Sequence, residues 1–179
     1  MRPRFATFLL LALVLSAFPV LVGGCGEEEE SEVNEGEPLE LGEMSYNVQV
    51  TRFLNPASPE DLTYLEDAPP LAEGQQYLGV FMQVANEGEE PNVVPQPFKI
   101  VDTRGTIYYQ EEVDNPFALE PGTPIAPDES VPGPETAAAN GPIEGSLILF
   151  ALDEGAVENR PLQLMVPGPG EVGIIELDL

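Results

Sequence analysis

The middle of the chain contains the stretch Tyr77-Leu78-Gly79-Val80-Phe81-Met82-Gln83-Val84-Ala85-Asn86, which is apolar on both of its strand faces. Successive side chains of a β-strand point to opposite sides of the sheet. A strand with apolar side chains on both sides is therefore expected to be covered on both. We predict that residues 77–86 form a central strand, either covered on both sides or shared between the core and a partner element.

The flanking segments show the patterns of shorter strands separated by proline- and glycine-rich turns. Residues 44–51 alternate apolar and polar side chains, as a half-buried strand does, and residues 147–152 are almost entirely apolar, as in a central strand. Further strands are predicted at residues 98–102, 107–109, 162–166 and 173–179, with an edge strand around Ile125 and a hairpin turn at residues 102–105. About seven short strands of this kind predict an all-β protein that folds as an antiparallel β-sandwich.

One short helix is expected in the first long loop. Ser58 precedes Pro59, and Asp61 follows three residues after Ser58, which is a helix-start signature. We predict a helix near residues 59–65. Its inward side chains are predicted to be Leu62 and Leu65.

Two long loops, residues 55–76 and 113–141, are the candidate recognition surfaces, because sandwich domains present loops at their ends. Either loop could instead cover an open sheet edge. Phe117 and Leu119 distinguish the two interpretations of the second loop. If they are exposed, they are candidate partner-contact residues, and if they are buried, the loop is a cover.

The first 25 residues have the layout of an export signal. Arg2 and Arg4 precede an apolar run at residues 5–18, and small residues lead to Cys25. A membrane-spanning helix needs about 20 apolar residues, and this run is shorter and lacks a basic flank on its far side. We therefore predict a signal peptide and reject a transmembrane helix.

Leu21 or Val22, followed by Gly23, Gly24 and Cys25, resembles the lipobox of bacterial lipoproteins. The resemblance implies cleavage between Gly24 and Cys25 and attachment of a diacylglycerol to Cys25. The alternative is a secreted protein with a free thiol, since Cys25 is the only cysteine. Lipidation would anchor the chain to the cell membrane, facing the extracytoplasmic side.

The predicted organisation is a signal peptide at residues 1–24, a disordered acidic tether at residues 25–38 and one sandwich domain at residues 39–179. The tether follows from its run of glutamates, which repel one another. After cleavage, four basic residues oppose 32 acidic ones, a formal difference of 4 − 32 = −28. Nucleic-acid binding is excluded, because it requires a basic patch.

Several short motifs resemble a bacterial lipoprotein domain family of unknown function. These are residues 77–80 leading to Asn86-Glu87-Gly88, residues 98–102 with Gly105 and Tyr108, and residues 145–150. The family has an immunoglobulin-like sandwich related in fold to immunoprotective extracellular antigens, and the resemblance covers residues 39–179. It implies no catalytic residues.

The residue inventory favours a binding protein over an enzyme. The chain contains no histidine, which removes histidine bases, histidine-containing triads and histidine metal ligands. We expect no cofactor and no metal, and we predict a non-enzymatic interaction module whose partner is an envelope or extracellular protein. The alternative is a calcium-binding protein that uses acidic loops, such as Glu60-Asp61 with Glu66-Asp67.

Overall fold

The computed structural model describes residues 30–179, so that the predicted signal peptide, the predicted cleavage site at Gly24 and the predicted lipidation site at Cys25 lie outside the described residues. The strands in this range are β1 Glu30–Asn34, β2 Leu39–Leu41, β3 Met44–Leu54, β4 Gln75–Asn86, β5 Asn92–Val93, β6 Lys99–Val101, β7 Ile107–Glu111, β8 Pro124–Ile125, β9 Ser130–Val131, β10 Ser146–Asp153, β11 Leu162–Pro167 and β12 Val172–Leu177. The helices are α1 Ala137–Asn140 and a 3-10 helix at Glu154–Glu158.

The strands form two layers. Strands β2, β3, β4 and β10 make one layer, which we name the covered sheet, and β6, β11, β12 and β1 make the other, which we name the open sheet. Strand β7 joins them, because its first three residues pair with β6 and its last two pair with β10. The orders β3-β4-β10-β7 and β6-β11-β12 are those of the two sheets of an immunoglobulin-type sandwich. The predicted all-β sandwich is confirmed.

The first core lies between the two sheets. Leu78, Val80 and Met82 of β4 are fully buried there. Ile100 of β6 and Leu164 of β11 meet them from the open sheet and are also fully buried. This is the period-two pattern expected of facing strands, in which every second residue enters the core.

A second core lies on the outer face of the covered sheet. Tyr77 and Phe81 of β4 point into it, together with Leu147 of β10. Tyr64 and Phe117, from the two long loops, close it from outside, and the Tyr64 ring centroid lies 5.1 Å from that of Phe81 and 4.7 Å from that of Phe117. The prediction that residues 77–86 form a central strand covered on both sides is therefore confirmed.

Backbone hydrogen bonds attach the second loop to the covered sheet. The Leu119 N–H donates to the Leu147 carbonyl at 2.8 Å, and the Leu147 N–H donates to the Phe117 carbonyl at 2.7 Å. The Asn115 amide donates to the carbonyls of Tyr64 at 3.1 Å and Glu66 at 3.3 Å, which ties the two loops together. The loop thus covers the edge of β10 beyond the point where β7 stops pairing with it.

The predicted helix near residues 59–65 is wrong, because that segment forms a series of turns. Asp61 does not sit in a solvated first turn. It is buried, forms an ion pair with Arg52 and accepts a hydrogen bond from the Asn55 N–H at 2.8 Å. Leu62 is 52% exposed and so does not turn inward, whereas Leu65 is half-buried against the second core as predicted. The short α-helix is α1 instead, capped by the Thr136 hydroxyl.

The predicted disordered tether is wrong for residues 30–38, and residues 25–29 lie outside the described range. Strand β1 runs parallel to β12, and Val33 packs against the first core. The Glu35 carboxylate accepts hydrogen bonds from the backbone N–H groups of Thr51 at 2.8 Å and Asp178 at 3.0 Å. A carboxylate that satisfies two backbone donors stabilises the fold, so residues 30–38 belong to the folded domain and not to a tether.

Truncation of Tyr64 tests the second core. We expect Tyr64→Ala to lower the free energy of unfolding by about 3 to 5 kcal/mol, because it removes a buried aromatic ring. Tyr64→Phe should cost nothing, because the buried hydroxyl has no hydrogen-bond partner among the described residues. Leu62→Ala, in the same loop, is the matched control and should change stability by less than about 0.5 kcal/mol. Urea unfolding measures all three, and equal losses for Tyr64→Ala and Leu62→Ala would contradict the second core.

Candidate functional site

The two residues predicted to contact a partner pack inward. Leu119 is only 4% exposed, and Phe117 is half-buried against Tyr64. Neither side chain is free to meet another protein, so the contact prediction is wrong for both. The second loop is a cover, which is the other interpretation that its sequence allowed.

The acidic loops do not assemble a metal site within residues 30–179, where no group of three or more potential ligand side chains lies close enough to hold an ion. Asp61 is already paired with Arg52. A depression of about 430 Å³ beside the second loop is nevertheless strongly acidic. Its carboxylates belong to Asp67, Glu111, Glu112, Asp114 and Glu120.

The outer face of the open sheet lies free of the long loops. Strand register places alternate residues of β7, β6, β11 and β12 on this face, since Ile100 and Leu164 between them point into the core. We name this surface the open face. Its residues are Lys99, Val101, Ile107, Tyr109, Gln163, Met165, Pro167 and Val172, and Ile174, which points the same way, is buried at 7% exposure.

Apolar side chains occupy much of the open face. Tyr109 is 56% exposed and Ile107 is 49% exposed, which is unusual for side chains of this size. The Lys99 ammonium lies 5.7 Å from the centroid of the Tyr109 ring, within cation–π range. The sequence predicted these strands but not this surface. Met165 was an available signal for it, because this apolar residue occupies a position that alternates with core residues.

Carboxylates border the open face on both sides. Glu32 of β1 pairs in register with Ile174, and Glu176 pairs with Gln163. Glu111 follows Tyr109 on the same side of β7. The surface therefore has an apolar centre and acidic borders.

A depression of about 460 Å³ opens at one end of the sandwich. Two hairpin turns form this end, one between β2 and β3 and one between β11 and β12, and we name it the hairpin end. Residues along its wall are Leu41, Glu43, Met44, Tyr46, Asn92, Val93, Val94, Pro95, Gln96, Gly122, Pro167, Gly168 and Pro169. Most of these side chains are apolar, so the depression is suited to apolar groups.

Tyr46 is the one phenol along this wall. Its side chain is 2% exposed, and its hydroxyl makes no hydrogen bond to any of the described residues. Burial raises the pKa of Tyr46 to about 12, because removal of water disfavours the phenolate. The site therefore holds a neutral hydroxyl that has a proton to donate.

Comparisons with known proteins identify the fold. No protein-family model and no curated protein matches the chain. Among solved structures, an uncharacterised β-sandwich protein from Clostridium difficile 630 matches with a TM-score of 0.50 and 15% identity, over 85% of this chain and 97% of that one. The yjhA protein of Bacillus subtilis matches with a TM-score of 0.55 and 10% identity, over 81% and 99% of the two chains.

A third match is a candidate lipoprotein of Bacillus subtilis, ycdA. Its TM-score is 0.50 and its identity is 14%, and the match covers 82% of this chain but 39% of that protein. At these identities the comparisons establish the β-sandwich fold. In residues 30–179, none of the helices is long and apolar enough to cross a membrane.

The raised pKa of Tyr46 predicts a specific pH dependence of stability. An unfolded tyrosine ionises near pH 10, whereas folded Tyr46 ionises near 12. Its contribution to stability is present below about pH 10 and is lost as the pH rises towards about 12. The free energy of unfolding, measured in urea between about pH 9 and 11.5, should fall more steeply for the unchanged protein than for Tyr46→Phe. Parallel curves would contradict a desolvated phenol.

Proposed function

We propose that the protein is a non-enzymatic, protein-binding module anchored by lipid on Cys25 to the extracytoplasmic side of the cell membrane. The export signal and the lipobox-like residues before Cys25 support the anchor. The shared fold with ycdA, a candidate lipoprotein, is consistent with it. The binding role is carried by the open face.

The open face supports binding because the two outer faces of the sandwich differ. The covered sheet buries its outer apolar side chains under two loops, whereas the open sheet leaves Tyr109 and Ile107 about half exposed. Tyrosine and methionine are enriched at the centres of protein interfaces. An uncovered apolar sheet face on a soluble domain is therefore best explained as a contact surface.

The charge of the protein favours a basic partner. Glu32, Glu176 and Glu111 border the apolar centre, and the whole chain carries a formal charge of −26. Opposite charge around an interface speeds association and excludes wrong partners. We propose a partner protein with an apolar patch surrounded by Lys and Arg. A second copy of this chain would bring like charges together.

The start of β1 limits how far the domain can stand from the membrane. Glu30 pairs with Val172 beside the β11–β12 turn, so the chain enters at the hairpin end. Cys25 lies five residues before Glu30, and five residues span at most about 18 Å. An anchor on Cys25 would therefore hold the hairpin end near the lipid surface, while the open face extends along the strands away from it.

Photo-cross-linking in intact cells tests this proposal. A photoreactive amino acid replaces Tyr109 on the open face or, as a matched control, Leu62, which is similarly exposed on the covered side. We expect position 109 alone to give a discrete cross-linked protein whose cross-linked peptide is rich in Lys and Arg. In membranes isolated before illumination, its yield should fall as salt rises, because screening weakens the charge attraction. The Cys25→Ser form should leave the membrane fraction.

Three outcomes would overturn parts of the proposal. Identical products at positions 109 and 62 would remove the open face as the contact surface. A cross-link between two copies of this chain would replace the basic partner by self-association. Retention of Cys25→Ser in the membrane fraction would remove the lipid anchor.

A further inference from the structure

We propose that the depression at the hairpin end binds a small, uncharged molecule that carries a hydrogen-bond acceptor, and that the Tyr46 hydroxyl donates to that acceptor. The inference goes beyond the proposed function, because this site is separate from the open face and does not require the lipid anchor. It rests on the shape of the depression, the chemistry of its wall and one donor without a protein partner.

The floor of the depression is built from core side chains. Leu41, Met44 and Val94 line it and are at most 4% exposed. The two hairpin turns hold it in shape. A methyl group added at Gly42 would lie 3.1 Å from Pro169 Cγ, and one added at Gly168 would lie 3.2 Å from Leu41 Cβ. Such close packing leaves little freedom for collapse, so the space is pre-formed, as ligand sites usually are.

The Tyr46 hydroxyl supplies the specificity. The Tyr46 side chain lines the depression, and its hydroxyl donates to none of the described residues. The hydroxyl is not one of their fully buried unpartnered atoms, so it keeps access to water. A ligand oxygen at this position would take the place of that water and accept the hydrogen bond. A hydrocarbon of the same shape would leave the hydroxyl unpaired, which costs affinity.

Charge at the mouth argues against anions. Glu43 lies along the wall, and the chain carries a formal charge of −26. A cation is less well matched, because it would use the phenol oxygen as an acceptor and leave the hydroxyl proton without a partner. The volume of about 460 Å³ lies within the range typical of small-molecule sites. An uncharged ketone, ester or amide of modest size fits all of these features.

The test compares acetophenone with ethylbenzene, which share the ring and the two-carbon chain but differ in the carbonyl oxygen. Both are titrated into the purified protein and followed by NMR shifts of Met44 and Val94. Acetophenone should bind roughly three- to tenfold more tightly, the range expected for one net hydrogen bond. Tyr46→Phe should abolish this preference. Tyr109→Phe, which changes an exposed tyrosine on the open face, should retain it.

Two results would overturn the inference. The first is the absence of saturable shifts at Met44 and Val94 for either compound up to its solubility limit. The second is equal affinity of the two compounds for the unchanged protein, or a preference for acetophenone that survives in Tyr46→Phe. The comparison of the two compounds on the unchanged protein decides the matter even if a variant is poorly folded. Photo-cross-linking at position 109 is a separate readout, so this site and the open face can fail independently.

Discussion

The two-sided burial of β4 is the constraint on which the rest of the structure depends. Leu78, Val80 and Met82 require one apolar layer, and Tyr77 and Phe81 require another on the opposite side. The facing sheet supplies the first layer. A two-sheet domain has no third sheet to supply the second apolar layer, so the long loops must supply it. The loops must also satisfy the hydrogen bonds of their own buried backbone groups.

Each loop solves that problem with a few polar side chains. Asp61 accepts from the Asn55 backbone and pairs with Arg52, which lets the first loop carry Tyr64 over Phe81. Asn115 donates to backbone carbonyls of the first loop, and the second loop then reaches the edge of β10. Both loops are therefore structural parts of the domain. The open face and the hairpin end are therefore the surfaces that we propose for binding.

The sequence predicted the fold well where a local pattern decides the structure. Strands at residues 44–51, 77–86 and 147–152 follow from period-two or continuous apolar patterns.

The sequence failed to predict the structure where a contact with a residue distant in the chain decides it. Glu35 looks like part of a solvated acidic run, and only the backbone N–H groups of Thr51 and Asp178 make it structural. The helix-start signature near Ser58 does not produce a helix, because Asp61 forms an ion pair with Arg52 instead. Met165 indicated an apolar position on the outer side of β11, but the sequence could not establish the open face, because whether such a residue is covered depends on where the loops go.

Native-state hydrogen exchange of the Leu119 amide tests most directly whether the second loop is part of the folded core. Its N–H donates to the Leu147 carbonyl, while Leu147 in turn donates to Phe117. Our account predicts that Leu119 and Leu147 exchange as slowly as the amides of β4, through global unfolding. If both amides exchanged orders of magnitude faster than those of β4, through a local opening of the loop, the loop would be an accessory to the sandwich and the central claim would be contradicted.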